Sequence, residues 1–177
     1  MRPLHNFLFT RDASSAIWDK VLINAMASRV RLRESIIMDY IFRYHPFLKA
    51  ETMNPRREEI LHPGIRCEGG DIQVLREDLL VVGTGLRTST QGIDFILQQL
   101  RHQKSPVSIV VQELPETPES FIHLDMVFTH VDFDQCVVFD PVICRPNRYK
   151  TVLIRVENGA VTISTESNLL SVLKDLG

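Results

Sequence analysis

The sequence has few cysteines, no basic block and no long apolar run, and each of these shortages excludes a class of protein. The sequence has three cysteines, an odd number, and no CxxC pair: Cys67, Cys136 and Cys144. Neither a disulfide framework nor a zinc site is therefore indicated. Twenty Lys and Arg against twenty-two Asp and Glu leave a net charge of -2. With no cluster of basic residues to neutralise phosphates, the sequence predicts no nucleic-acid partner.

The longest apolar runs, residues 79–82 and 109–111, have the length of a strand and are far too short to span a bilayer. No leader of basic residues followed by an apolar stretch comes before the first motif, so we expect a cytoplasmic protein with no membrane partner. A chain of 177 residues with 44% hydrophobic content fits one domain with a core of its own.

The most informative stretch is Cys67-Glu68-Gly69-Gly70-Asp71, which leads directly into the alternating segment 72–75. Two adjacent glycines permit a sharp turn or a close approach of the backbone to another group. A carboxylate stands on each side of them. A solvated acidic turn would explain this pattern, but so would a ligand site at the start of a strand.

The middle of the chain predicts one structural unit. Segments 72–75 and 79–82 form a hairpin, Thr88 or Ser89 caps a helix through about His102, and residues 108–112 form a strand. The first forty-four residues repeat strand, strand and helix, with a strand at 21–26 and a helix from Ser28 to about Tyr44. The apolar residues of this helix recur at helical spacing and predict a core-facing side: Val30, Ile37, Tyr40 and Ile41. The polar stretch 51–63 predicts a surface loop or a short helix.

The order begins a third time after residue 122. Segments 124–130 and 135–139 are predicted strands, and an inserted hairpin follows at 151–156 and 160–164, turned by Asn158-Gly159. Ser167 is expected to cap a last helix at 169–176. We therefore predict an α/β fold of repeated ββαβ modules, the third of them cut off before its closing strand.

Three acidic motifs contain the candidate site residues. In a strand, residues two apart face the same side, so His123 and Asp125 are predicted to project together while Leu124 enters the core. Taken singly, Asp12 fits a capping aspartate, Glu68 a solvated turn and His123 a structural histidine. Taken together, such groups repel one another unless a cation lies between them, and a guanidinium is the planar cation that carboxylates bind best.

Two arginines could bind the other end of such a ligand. Arg31 and Arg87 both lie between the end of a strand and the start of a helix, where backbone donors already favour anions. An amino acid with a guanidinium tail and an α-carboxylate would satisfy both ends of the site. A solvated surface charge, or a salt bridge to an acid such as Glu34, is the alternative interpretation for each.

Five motifs in matching order resemble arginine deiminase over nearly the whole chain: Asn6 with Phe9-Thr10-Arg11-Asp12, residues 24–35 with Arg31, Glu68-Gly69-Gly70-Asp71, residues 83–89, and His123-Leu124-Asp125. The resemblance implies the pentein fold, a ring of five ββαβ modules. About three of the five would be present, so we expect a partial pentein α/β-propeller. It also implies hydrolysis of L-arginine to L-citrulline and ammonia, without a metal or a cofactor.

The resemblance also implies a role for each site residue. Asp12 and Asp125 would bind the guanidinium nitrogens, and His123, paired with Glu68, would be the general acid and base. Asn6, Arg31 and Arg87 would hold the α-amino-acid end of the substrate, Phe9 would pack on its aliphatic stem, and Asp71 would stabilise the glycine turn. In this family a cysteine thiolate attacks the guanidinium carbon, and water activated by the histidine hydrolyses the adduct.

The family's glycine-rich segment with that cysteine is not in this sequence, nor are its N-terminal strands and its inserted helical domain. Cys67 is expected to face away from Glu68, Cys136 to lie in the core, and Cys144 to be exposed without a base beside it. We therefore expect residues 1–177 to be a single truncated arginine-deiminase-like catalytic domain that is inactive alone. It would form homo-oligomers or pair with a separate C-terminal segment.

Two alternatives remain open at the level of sequence. This chain also resembles amidinotransferases and enzymes acting on dimethylarginine or agmatine, which share the Asp, Glu and His pattern. Among these, Arg31 and Arg87 together favour a substrate with a free α-carboxylate. A noncatalytic pentein-like module that binds arginine or a protein partner is the second alternative.

Overall fold

The computed structural model describes residues 3–4, 6–57 and 64–177. Part of the polar stretch predicted as a loop or short helix, residues 58–63, lies outside the described residues. The strands of the described part form three open sheets, none of which closes on itself. None of the helices in that part has the length and apolar content needed to span a membrane.

The first sheet completes one ββαβ module. After the short helix α1 (Thr10–Ala13), strand β1 (Ser14–Ile17) pairs antiparallel with β2 (Lys20–Ile23), helix α2 (Leu32–Tyr44) follows, and β3 (Glu51–Met53) returns parallel to β2. The strand predicted at 21–26 is therefore shorter than expected. A 3₁₀ turn at Arg29–Arg31 precedes α2, and Ser28 makes no side-chain capping bond.

The second sheet contains the predicted central unit. A 3₁₀ turn at Gly69–Asp71 leads into β4 (Ile72–Arg76), β5 (Leu79–Thr84) pairs antiparallel with it, α3 (Thr90–Leu100) crosses over, and β6 (Val107–Glu113) lies parallel to β5. Ser89 caps α3 by accepting the Gly92 N–H at 3.2 Å. Every predicted element of this unit is confirmed.

The third part of the chain differs from the expectation. Residues 124–126 form a 3₁₀ turn rather than a strand, and the two-stranded sheet is β7 (Phe128–Asp132) with β8 (Gln135–Val138), followed by the short helix α4 (Asp140–Ile143). The hairpin of β9 (Thr151–Glu157) and β10 (Ala160–Glu166) is not an isolated insertion. It adds to β6, which gives a five-stranded sheet in the order β10-β9-β6-β5-β4.

The hairpin turn and the last helix largely follow the sequence signals. Asn158 and Gly159 have φ values of 51° and 76°, the left-handed conformation that an Asn-Gly turn supplies. Helix α5 (Leu169–Leu176) has the predicted bounds, but its cap is Asn168, which accepts the Ser171 N–H at 2.9 Å, and not Ser167.

Helix α2 places polar residues inside and apolar residues outside. Glu34, Ser35 and Asp39 are buried, whereas Tyr40 is 59% exposed, and Val30, in the 3₁₀ turn before α2, is 66% exposed. The predicted apolar face is therefore wrong for these two residues. The inward carboxylates bind arginines, Glu34 to Arg31 and Asp39 to Arg57, so this face of α2 packs through ion pairs.

Single side chains connect the sheets. The buried Gln73 on β4 donates to the Phe128 carbonyl at 2.7 Å and accepts the His130 N–H at 3.1 Å, which fixes β7 against the second sheet. The Trp18 indole, in the β1–β2 turn, donates to the Arg76 carbonyl at 3.0 Å. These bonds bring the three acidic motifs to one region.

Candidate active site

The centre of the site is an ion pair between two residues that lie 55 positions apart in the sequence. The His123 Nε2 lies 3.0 Å from the Glu68 Oε2. Glu68 is fully buried, and its second oxygen accepts the Ala27 N–H at 3.0 Å. The Glu68 backbone N–H donates to Thr88 Oγ1 at 3.2 Å, so the residue is anchored at both its main chain and its side chain.

The adjacent glycines are required for close approach and not for a positive φ. A Cβ on Gly69 would lie 1.8 Å from the Arg11 carbonyl oxygen, and one on Gly70 would lie 2.6 Å from the His123 Nδ1. Both distances are far below van der Waals contact. The backbone of the glycine turn is therefore packed directly against the Asp12 segment and the imidazole.

Asp12 reaches the same region from α1. Its carboxylate accepts a bond from Arg31 at 2.6 Å, and its backbone carbonyl accepts the Asn24 side-chain amide at 2.8 Å. Asp12, Glu68 and His123 each place a ligand-type atom within 4.8 Å of the others. The structure thus brings together three of the four residues predicted to be catalytic.

Asp125 lies at the edge of this cluster. Its carboxylate is 3.9 Å from the Arg11 Nε, and it follows Leu124, which is completely buried. Leu124 therefore enters the core between His123 and Asp125, as predicted, although residues 124–126 form a 3₁₀ turn and not a strand. Burial raises the pKa of Asp125, against the lowering effect of His123 and Arg11.

The predicted binders of the amino-acid end lie around the cluster. The Arg87 guanidinium is 3.4 Å from the Glu68 Oε2, and its side chain is 30% exposed. Phe9 is 59% exposed, and Asn6 is exposed. The carbonyls of Asn6 and Phe9 each accept a bond from Arg31 at 3.3 Å. Arg31 itself is buried in contacts with the protein, which differs from the free guanidinium that a direct substrate contact would use.

Asp71 is a fully buried carboxylate beside the cluster. Its Oδ1 accepts the Leu124 N–H at 2.9 Å. Its Oδ2 accepts no bond of normal geometry from the described residues, although the Thr88 hydroxyl lies close enough to lower the pKa of the carboxyl. Burial is the larger influence and raises the pKa of Asp71 to about 7.

The Glu68 and His123 pair is polarised toward its charged form. Burial raises the pKa of Glu68, but the bonds from His123 and Ala27 and the charge of Arg87 outweigh burial and lower it below its ordinary value. Burial lowers the pKa of His123, but the bond to Glu68 and the charges of Asp71 and Asp12 outweigh burial and raise it. Each shift favours the charged form of its own group.

The spacing of Asp12, Glu68 and His123 would also allow a metal ion. However, both carboxylates already bind cations of the protein, Asp12 through Arg31 and Glu68 through Arg87. The arrangement of donors thus matches planar, hydrogen-bonding cations, because guanidinium groups already bind them.

None of the three cysteines contacts this cluster in the described part of the chain. The Cys67 Sγ accepts the Ala25 N–H at 3.3 Å inside the core, and burial raises its pKa to about 12. Cys136 is exposed, so its predicted place in the core is wrong. Cys144 is exposed, but the partial burial of its thiol and the neighbouring Asp140 raise its pKa, which disfavours the thiolate.

Two residues of the site were missed from the sequence. Arg11 donates to the Gly69 carbonyl at 3.2 Å and to the Ile72 carbonyl at 3.3 Å, which joins α1 to the glycine turn. Asn24 is buried and bonds the Asp12 carbonyl and the Ser15 hydroxyl. A lone amide within the apolar run 21–26 is the signal that could have identified Asn24.

Solved structures define the class of fold. DDAH from Pseudomonas aeruginosa, complexed with citrulline, has a TM-score of 0.58 at 19% identity, covering 76% of this chain and 47% of that one. The N-terminal domain of ArgZ, a cyanobacterial arginine dihydrolase, bound to substrate, has a TM-score of 0.64 at 20% identity, covering 80% and 47%. The chain thus has a mixed α/β fold with neighbours in the pentein superfamily.

Sequence comparison then gives the family. The family model described as Arginine deiminase matches residues 1–176. Arginine deiminase of Oenococcus oeni is 32% identical over 177 residues, 99% of this chain and 42% of that protein. That of Bacillus thuringiensis subsp. konkukian is 33% identical over 180 residues, covering 98% and 42%. The chain belongs to the arginine deiminase family, as its motifs predicted, and spans less than half the length of these relatives.

Proposed function

We propose that this chain supplies the guanidinium-binding and acid-base part of a site that hydrolyses L-arginine to L-citrulline and ammonia. The observation that carries the proposal is the convergence of Asp12, Glu68 and His123, whose ligand-type atoms lie within 4.8 Å of one another. Family membership supports the same chemistry. Asp12 and Asp125 bind the guanidinium nitrogens, and His123, polarised by Glu68, transfers the protons.

The reaction proceeds in two steps. A cysteine thiolate adds to the guanidinium carbon, the C–N bond to one terminal nitrogen breaks, and that nitrogen leaves as ammonia with a proton from His123. Water then gives a proton to His123 and adds to the thiouronium carbon. The C–S bond then breaks and the hydroxyl proton passes to solvent, which releases citrulline and regenerates the thiolate.

The attacking thiolate comes from outside these 177 residues. Cys67 is buried, with its pKa raised to about 12, and Cys136 and Cys144 are exposed. The curated relatives have more than twice the length of this chain, which leaves room for such a residue. The chain by itself is therefore expected to bind arginine without turning it over.

Calorimetric titration of the purified chain with L-arginine tests the binding half of the proposal. We expect saturable binding that is lost in Asp12→Asn and Glu68→Gln and retained in Arg29→Met, an exposed arginine outside the cluster. Absence of binding would leave only an interaction module. Citrulline production by the chain alone would contradict the external origin of the thiolate.

The chain is expected to associate with a second copy of itself or with a complementing chain. Each of the three sheets is open and has edge strands, and large apolar side chains such as Phe47 and Phe133 are 90% and 85% exposed. We expect a homo-oligomer, or a complex with a second segment that contains the thiolate. A monodisperse monomer that also fails to bind such a segment would contradict this.

A further inference from the structure

Asp71 is a buried carboxylate for which the proposed chemistry has no task. It ends the 3₁₀ turn that begins at Gly69, on the side opposite to Glu68. Its Oδ1 accepts the N–H of Leu124, a residue 53 positions later in the chain. Leu124 directly follows His123, so this bond fixes the peptide next to the imidazole.

The junction between Asp71 and Leu124 has no spare room. A Cβ on Gly83 of β5 would lie 2.7 Å from the Asp71 Oδ1 and 2.9 Å from the Leu124 Cβ. A Cβ on Gly70 would lie 2.6 Å from the imidazole of His123. Glycines on two different elements thus leave the space that Asp71 and His123 occupy.

Asp71 differs from the neighbouring carboxylates in the groups that stabilise its charge. Asp12 binds Arg31, Glu68 binds Arg87, and Asp125 faces Arg11. The groups that lower the pKa of Asp71, against its burial, are the Thr88 hydroxyl, His123 and the Leu124 N–H. Among them His123 is the cation.

We propose that Asp71 is the positioning residue of His123: its carboxylate fixes the peptide that follows the imidazole and, when ionised, places a negative charge beside the ring. Glu68 holds the ring through Nε2, Gly70 supports the ring near Nδ1, and Asp71 holds its backbone. The inference rests on the proposed function only in giving His123 a task, since the geometry exists without substrate.

The test is an NMR titration of the His123 ring in the unliganded chain. Replacing Asp71 by Asn keeps the side-chain oxygen and removes the charge, and we expect the midpoint of His123 to fall by about one pH unit. Asp39→Asn is the matched control, a buried carboxylate that pairs with Arg57 on another element. An unchanged His123 midpoint in Asp71→Asn, or an equal fall in Asp39→Asn, would overturn the proposal.

Gly70→Ala tests the same geometry without changing a charge. Because the new methyl must displace the imidazole from Glu68, we expect the His123 midpoint to fall toward its ordinary value of 6.5. Gly85→Ala is the control, since its Cβ would meet nothing closer than Leu114 at 3.5 Å. A His123 midpoint in Gly70→Ala that equals the wild-type value would overturn the proposal.

If Asp71→Asn does not fold, a pH titration of the Leu124 amide in the wild-type protein tests the proposal instead. We expect the Leu124 amide shift to titrate together with the His123 ring, and an amide insensitive to pH over about pH 5–9 would overturn the proposal. All these signals are read without ligand. Failure to bind arginine would therefore contradict the proposed function and leave this inference intact.

Discussion

Arg31 donates to the Asp12 carboxylate at 2.6 Å, across 19 positions of sequence. The same guanidinium binds Glu34 at 2.8 Å and the carbonyls of Asn6 and Phe9 at 3.3 Å, and the residue is 5% exposed. A direct contact with a substrate carboxylate would require the guanidinium to leave some of these partners. We propose that Arg31 acts through Asp12, by holding the segment from Asn6 to Asp12 in place.

Replacing Arg31 by Met should lower the free energy of unfolding. The substitution leaves the Asp12 and Glu34 carboxylates without their cation, and breaking a buried ion pair in this way costs about 3–5 kcal/mol. Denaturant unfolding measures the change. Arg29→Met, at an exposed position two residues earlier, should stay within about 0.5 kcal/mol of wild type. Equal losses in both variants would contradict the role of Arg31.

The central unit could be predicted because each of its signals is local. The alternation of residues 72–75, the apolar run 79–82 and the cap at Ser89 all depend on near neighbours. The acidic motifs were informative for the same reason, since their residues are adjacent in sequence. The structure then places Asp12, Glu68 and His123 together.

The failures of prediction involve long-range contacts. Helix α2 turns Asp39 inward, where it pairs with Arg57 from another part of the chain, and Tyr40 outward, which periodicity cannot show. Residues 124–126 form a 3₁₀ turn because the Leu124 N–H bonds Asp71 and not a neighbouring strand. Cys136 lies on an exposed strand of a two-stranded sheet, where alternation does not imply burial. The first two failures depend on a partner distant in sequence.

The Glu68–His123 pair should make stability depend on pH. The pKa of His123 is raised above its ordinary value of 6.5, so its contribution is fully present below 6.5 and is lost as the pH rises through the folded value. The pKa of Glu68 is lowered from 4.5, so its contribution is present above 4.5 and is lost as the pH falls through the folded value. The stabilising contributions of His123 and Glu68 are therefore both fully present between pH 4.5 and pH 6.5. The effect of Asp71 is opposite in sign to that of Glu68. Its pKa is raised from 3.8 to about 7, so its ionisation lowers the stability of the fold as the pH rises over that range.

We therefore expect the Tm difference between wild type and His123→Gln to be largest near pH 5–6, about midway between those limits, and to shrink toward about pH 8. Thermal unfolding at several pH values measures this difference. His45→Gln, at an exposed histidine after α2, is the control variant. A Tm difference for His123→Gln that grows with rising pH would contradict the sign of the shift.

Arg87 should distinguish between ligands with and without a carboxylate. It lies 3.4 Å from Glu68 and is partly exposed, so it can move to a bound α-carboxylate. In Arg87→Leu we expect arginine to bind about 10–100-fold more weakly, the equivalent of one charged hydrogen bond. Agmatine, which has no carboxylate, should bind at least as well as before because Glu68 has lost a competing cation.

Calorimetry with both ligands measures this, and Arg66→Leu, at an exposed arginine before the glycine turn, is the control that should change neither affinity. Equal weakening of arginine and agmatine in Arg87→Leu would mean that Arg87 acts only by organising Glu68. It would also remove the argument for a substrate with a free α-carboxylate.

Gly69→Ala should damage both the fold and the site, because the added methyl would lie 1.8 Å from the Arg11 carbonyl oxygen and 2.8 Å from its carbon. Both atoms belong to the backbone, so relief requires moving the segment that contains Asp12. We expect a loss of about 1–3 kcal/mol in denaturant unfolding and loss of arginine binding in the population that stays folded. Gly85→Ala meets only Leu114 at 3.5 Å, and it should be neutral or slightly stabilising because alanine restricts the unfolded chain. Arginine binding that survives in Gly69→Ala would show that the Asp12 segment does not need its close contact with the glycine turn.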